Sequence, residues 1–164
     1  MIREAAEDDT VRIVEILVFS WRTFYRGIIP DEYLFKKLTV PNRLKDLAET
    51  MRKQKQETYV FDDPFVKGFI TFGRCRDEDK NEDSFELMGL YTDPLYTRLG
   101  IGQQLINFCE VEAKKRKKKE ISLWVLKKNR VGINFYEKNG FLPDGAQKEL
   151  KSINALAVRY TKII

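Results

Sequence analysis

The stretch TRLGIG, Thr97 to Gly102, places an arginine and two glycines where an apolar, β-prone segment hands over to a helical pattern. A helix N-terminus carries unpaired backbone N–H groups and positive partial charge, and glycine lets those amides curl closely around an anion. The stretch therefore reads as a phosphate cradle, with Arg98 adding charge. It fits neither the P-loop pattern, since no Lys-Ser/Thr follows, nor the dinucleotide fingerprint, since a third glycine is missing. On these residues alone, a tight strand-to-helix turn accounts for the glycines equally well. Further along, NRVGINFYEKNGF gathers Asn129, Asn134, Phe135 and Tyr136 around a short helical pattern, with Gly140 and Phe141 behind it.

The 164 residues include no histidine, which removes triads with a histidine base, histidine-rich zinc sites and phosphohistidine relays. Any acid or base must come from Asp, Glu, Tyr, Lys, Cys or water. Cys75 and Cys109 are too few for a disulfide framework or a zinc cluster and read as structural thiols in a reduced compartment, so no metal is expected. The net charge of +5 favours acidic ligands, but much of the excess lies in KKRKKK, Lys114 to Lys119, which reads first as a solvated helix end. The charged start MIREAAEDD, and the interruption of the apolar run Ile13 to Trp21 by Glu15, give neither a signal peptide nor a membrane span. A soluble, cytoplasmic protein without a membrane partner is the expectation.

These residues need elements to hold them. IREA suggests a first strand, and Asp8 or Asp9 can cap a helix with the apolar stripe Val11, Val14, Leu17, Val18, Trp21, Phe24 and Tyr25, ending at Gly27. PDEYLFKKL and NRLKDLAETMRK follow as a short helix and a longer one with a polar outer face. ETYVFDD, FVKGFITFGRCR and FELMGLYT, separated by turn-forming acidic stretches, predict an antiparallel meander. A helix from about Gly102 to Lys117, a strand EISLWVL, a short helix VGINFYEKNG and a closing pair FLPDG and NALAVRYTKI complete the series. No linker or repeat interrupts it, so one domain over 1–164 is expected: mixed α/β (α+β), with a mostly antiparallel sheet of six to seven strands flanked by helices.

YTDPLYTRLGIGQQLI and NRVGINFYEKNGF together, in this order, resemble the Gcn5-related N-acetyltransferase family. That family carries an acetyl-coenzyme A motif Arg/Gln-x-x-Gly-x-Gly/Ala after its fourth strand, and later Asn-x-x-Ala-x-x-Phe-Tyr-x-x-x-Gly-Phe. Thr97 stands where the family has Arg or Gln, with Arg98 displaced by one, and Gly132 stands where it usually has Ala. The resemblance implies acetyl transfer from acetyl-coenzyme A to an amine by direct attack in a ternary complex. The coenzyme would be held by Thr97, Arg98, Leu99, Gly100, Ile101, Gly102 and Gln103, by the strand LYT (Leu90, Tyr91, Thr92), and by Asn129, Asn134 and Tyr136. The amide of Leu90 or Tyr91 would meet the developing oxyanion.

Tyr136 occupies the family's general-acid position; its alternative is a core residue whose hydroxyl bonds backbone. Glu86, on the fourth strand, matches a glutamate that in many members accepts the amine's proton through water; its alternative is a solvent-facing strand residue. SWRTFYRGIIPDEYL resembles the corresponding segment of a branch that includes polyamine and other small-amine acetyltransferases. Trp21, Tyr25, Asp31, Glu32 and Tyr33 would then line an acceptor groove, unless the aromatics are only the buried stripe and the carboxylates only charge a helix start. The leading expectation is a small-amine acceptor, such as a polyamine, for a monomer or homodimer that binds no nucleic acid. The alternatives are a protein N-terminal or lysine acceptor, and a non-catalytic coenzyme A-sensing or nucleic-acid-binding module using Lys114 to Lys119.

Overall fold

Runs of β-branched and aromatic residues, joined by a short acidic turn and then by the acidic connection 75–83, fold back on one another as β2 (Gln56–Asp62), β3 (Val66–Arg74) and β4 (Ser84–Thr92). β1 (Ile2–Glu4) adds to the outer side of β2, also antiparallel. The structure is a computed structural model that describes residues 1–53 and 56–164, the side chains of 47–53 lying outside the description. From β4 the chain crosses through α3 (Ile101–Lys115) and returns as β5 (Glu120–Leu126), parallel to β4 as a helical crossover requires. After α4 (Arg130–Lys138), β6 (Leu142–Leu150) takes the edge and β7 (Ala155–Ile163) inserts between β5 and β6, giving the order β1-β2-β3-β4-β5-β7-β6. The sheet is thus seven-stranded and mostly antiparallel, in a mixed α/β fold. The penultimate strand runs past the FLPDG segment to Leu150, longer than its turn-like residues indicate.

Two irregularities shape the centre. The β3–β4 register shifts so that Thr71 faces Gly89 and Phe72 faces Leu87, which leaves Met88 as an unpaired extra residue on β4. The β4–β5 pairing stops at Leu87–Leu123, so the later residues of both strands part into a cleft.

α3 lies on one face of the sheet, where Leu105, Ile106, Cys109 and Ala113 pack against Phe72, Phe85, Ile121 and Leu123. α1 (Thr10–Phe24) lies on the other. It buries an arc rather than one stripe: Ile13 and Ile16 meet Val60, Val66 and Phe69, while Val14 and Val18 meet Leu34, Leu38 and Leu126. The predicted stripe is corrected accordingly. Val11 and Phe24 sit at exposed margins, and Ile13 and Ile16 join the core, because α1 is wedged between the sheet and the helical turn Tyr33–Lys37. Asp9 precedes α1 but does not cap it, since Arg3 and the Ala6 N–H take its carboxylate. α2 (Val40–Lys53) follows; the expected polar outer face of its later half falls on side chains outside the described residues. Most of the basic run is a solvated helix end, with Lys114, Lys115, Lys117 and Lys119 exposed, while Arg116 bridges Glu57 and Glu112 and lies over Phe72 and Phe85.

Candidate active site

α3 begins without a side-chain cap. Its N-cap is Gly100 at φ +76°, in the left-handed region that favours glycine, and a Cβ there would meet nothing within 4 Å. The first helical bond runs from Gln104 N–H to the Gly100 carbonyl at 3.0 Å. The N–H groups of Ile101, Gly102 and Gln103 precede that ladder and find no acceptor among the described residues. α4 is finished differently: Asn129 caps it, its Oδ1 accepting from Gly132 N–H at 3.0 Å. One helix is closed by its own side chain and the other is left open to an anion. Arg98, at φ +62° and exposed, stands beside the open end with no carboxylate partner among the described residues. Thr97 turns its hydroxyl to the Pro94 carbonyl at 3.3 Å, and Gln103 bonds Asn107 and Asn139.

The open end faces a cleft of about 590 Å3 lined by the parting strands, α1, α3 and α4. Asp93 N–H bonds the Lys67 carbonyl on β3, while the Thr92 carbonyl turns away from β3 and accepts from Ser20 Oγ at 3.0 Å. Alternation along an antiparallel strand then directs Tyr91 N–H to β3 and Leu90 N–H to the cleft.

Three phenols converge here. Tyr91 accepts from Trp21 Nε1 at 3.2 Å. Burial pushes the Tyr25 phenol well up, with Tyr91 and Tyr136 adding to it. Burial likewise raises the Tyr136 phenol, and Tyr91 and Cys109 act in the same direction. The Tyr136 ring meets Phe135 and Phe141 edge-on, yet its hydroxyl has no hydrogen-bond partner among the described residues, so the backbone-satisfied alternative does not hold. A phenol so placed keeps its proton at neutral pH and can hydrogen-bond to negative charge that develops in the cleft.

Of the residues singled out by the sequence, the cleft lining includes Trp21, Tyr25, Leu90, Tyr91, Thr92, Thr97, Arg98, Gly100, Ile101, Gly102, Gln103, Asn129 and Tyr136. Tyr33 stands behind Trp21, ring centres 6.2 Å apart, while Leu99, Asp31, Glu32 and Asn134 are exposed and outside the lining. Glu86 is only 2% exposed, so it is no solvent-facing residue. It is also outside the lining, with Arg76 on both oxygens: Arg76 N–H and Nε donate to Oε2 at 3.0 and 2.9 Å, and Nη2 to Oε1 at 2.7 Å. The sequence reading passed over Ser20, Met88, Trp124, Leu150 and Ile153, which also line the cleft. Trp124 carries a signal in retrospect, being an aromatic in the phase of EISLWVL opposite to the core residues Ile121, Leu123 and Val125.

The sequence pattern of the acetyltransferase (GNAT) family matches residues 15–141. A spermidine N(1)-acetyltransferase of Thermoplasma acidophilum is 32% identical over 145 residues, 85% of this chain and 86% of that protein. Among solved structures, the PaiA N-acetyltransferase of Thermoplasma acidophilum in complex with coenzyme A is similar, with 26% identity, a TM-score of 0.72 and coverage of 97% of this chain and 96% of that one. A ribosomal-protein-alanine N-acetyltransferase from Brucella melitensis shares the fold at 22% identity, with a TM-score of 0.73 and coverage of 100% and 99%.

Proposed function

The chain belongs to the acetyltransferase (GNAT) family, and on that premise we propose that it moves an acetyl group from acetyl-coenzyme A to a primary amine of a small polyamine-type acceptor, both held at once in the cleft. The observation that carries this reading is the uncapped α3 N-terminus opening onto the same cleft as the unpartnered Tyr136 hydroxyl. The donor set suits the coenzyme: free N–H groups at a helix start, with Arg98 beside them, bind a pyrophosphate. The spermidine acetyltransferase relative supports an amine of the polyamine kind.

Bound acetyl-coenzyme A supplies an acetyl group activated as a thioester. The amides of Ile101, Gly102 and Gln103 fix the anionic end, and the edges of Leu90 and Thr92 guide the chain that leads inward. Leu90 N–H donates to the carbonyl oxygen as negative charge develops there. Tyr136 gives its proton to the departing sulfur. Trp21, Tyr25 and Tyr91 form the aromatic wall against which the acceptor's ammonium and alkyl chain lie. The acceptor's proton leaves through water, and Glu86, with Arg76 on its oxygens, acts as a fixed charge behind the acceptor rather than as a free base.

The test is thiol release from acetyl-coenzyme A with spermidine, spermine, simple monoamines, and peptides bearing a free N-terminus or lysine. Release with the polyamines is expected, and Tyr136→Phe should lower it by about 10²–10⁴-fold while coenzyme A binding persists. Release with peptides alone would move the acceptor to protein amines, and full turnover by Tyr136→Phe would remove its role as acid.

A further inference from the structure

Beyond the aromatic wall, the cleft ends on a residue with unusual company. Trp124 lines the cleft from β5, and its Nε1–H donates to both carboxylate oxygens of Asp77, at 3.1 and 3.0 Å, which fixes the ring. The Lys148 ammonium lies over that ring, 3.9 Å from its centre. Lys148 faces Ala157 across the β6–β7 pair, and Ala157 and Leu150 both line the cleft, so the lysine stands at the cleft's outer end on the same face. We propose that the Trp124 face, beside Asp77, is an alkylammonium subsite of the acceptor cleft, filled by Lys148 until the distal ammonium of a di- or polyamine displaces it.

The resident side chain itself points to the ligand class. Lysine presents an ammonium on a four-carbon stem, the same group as the aminobutyl arm of a polyamine. An aromatic face within about 6 Å of an ammonium, with carboxylates near, recognises that group. Lys148 lies over the ring without an ion pair to any carboxylate among the described residues. Burial lowers its pKa; Asp77 and Glu86 oppose this, and Arg76 and Arg159 reinforce it, so the ammonium is incompletely compensated. An acceptor whose second charge reaches the ring can exchange with it, and Lys148 is exposed enough to swing into water. A monoamine has no second charge with which to do so. The subsite thus ranks acceptors by whether they carry a distal ammonium. This rests on the acetyl-transfer reading for its chemistry, but not for its binding.

The test compares putrescine with butylamine, as kcat/KM and as binding to the coenzyme A-loaded protein followed by tryptophan fluorescence. Lys148→Met should raise the putrescine-to-butylamine ratio roughly threefold to tenfold in both readouts, by removing the competing cation. Lys148→Arg should hold the ratio at the wild-type value, which a merely structural role for the lysine stem would not require. Trp124→Leu, checked by thermal melt for a native fold, should bring the ratio down towards one. A ratio that Lys148→Met leaves unchanged or lowers overturns the subsite. If the binding ratio shifts while neither amine is turned over, the subsite stands and the transfer reading fails; if both amines are turned over and no ratio moves, the reverse holds.

Discussion

At the scale of single residues, glycines separate stability from function. A Cβ at Gly102 would sit 3.6 Å from the Phe135 ring, an ordinary contact, and no positive φ forbids a side chain there. Gly102→Ala should leave Tm unchanged or slightly raised, since alanine favours the helix by about 0.5–1 kcal/mol, yet weaken acetyl-coenzyme A binding about tenfold by crowding the amide cradle. Calorimetric titration beside a thermal melt reads both. Gly132 poses the opposite case. An alanine there, as the family usually has, would put Cβ 2.4 Å from Asn129 Nδ2, so the cap must swing away. Gly132→Ala should come out near neutral in stability, the helix gain offsetting a lost cap of about 1 kcal/mol, while coenzyme affinity falls because Asn129 also lines the cleft. For Tyr136, the raised phenol predicts that kcat measured against pH keeps its acid form past the ordinary tyrosine value near 10, so no alkaline fall belonging to this group appears below that pH. The glycines and the Phe-Tyr pair were legible because each is a local device. Trp124 and Lys148 were not, since their partners lie far away in sequence: Trp124 reaches Asp77 across 47 residues, and Lys148 reaches the Trp124 ring from another strand.

At the scale of elements, the connection 75–83 between β3 and β4 is latched onto the sheet by one buried guanidinium. Arg159 donates to Asp77 at 3.1 Å, to Asp79 at 2.7 and 2.5 Å, and to Asp144 at 2.6 Å. The same connection carries Arg76 to Glu86 and Asp77 to Trp124, so the latch sets the Trp124 end of the cleft. Arg159→Leu should cost about 3 kcal/mol in urea unfolding, because it leaves carboxylates close together without their cation. The pH dependence has a definite sign. Arg159 holds the Asp79 carboxyl down to about 2, against an ordinary 3.8, so this contribution is complete above about pH 4 and is lost as pH falls towards 2. Wild-type stability should therefore drop more steeply over that window than that of Arg159→Leu. Element types and order were readable from periodicity, from the meander to α4. The extra residue at Met88 and the wide buried arc of α1 were not, because both arise from how neighbours pack and neither leaves a local pattern.

At the scale of the whole molecule, the coenzyme should bind the folded chain and not the unfolded one. At a hundred times its Kd, coenzyme A would add about 2.7 kcal/mol, or roughly 5–10 °C in Tm for a chain of this size. A melt with no shift at saturating coenzyme A would argue against the cleft as its site. The strand arrangement sets a further expectation. β3 and β4 match at seven positions and β5 and β7 at seven, but β4 and β5 meet at only four, from Ser84–Glu120 to Leu87–Leu123. The sheet is therefore two halves, β1–β4 and β5–β7–β6, joined along a short seam. Such a seam divides a domain into cooperative units that open separately, and amide hydrogen exchange should resolve them, with the edge pair β6–β7 exchanging through smaller openings than β3–β4. A ligand lying between Leu90 and Val125 would act as a rivet across the seam, slowing exchange on both halves at once, at amides it never touches.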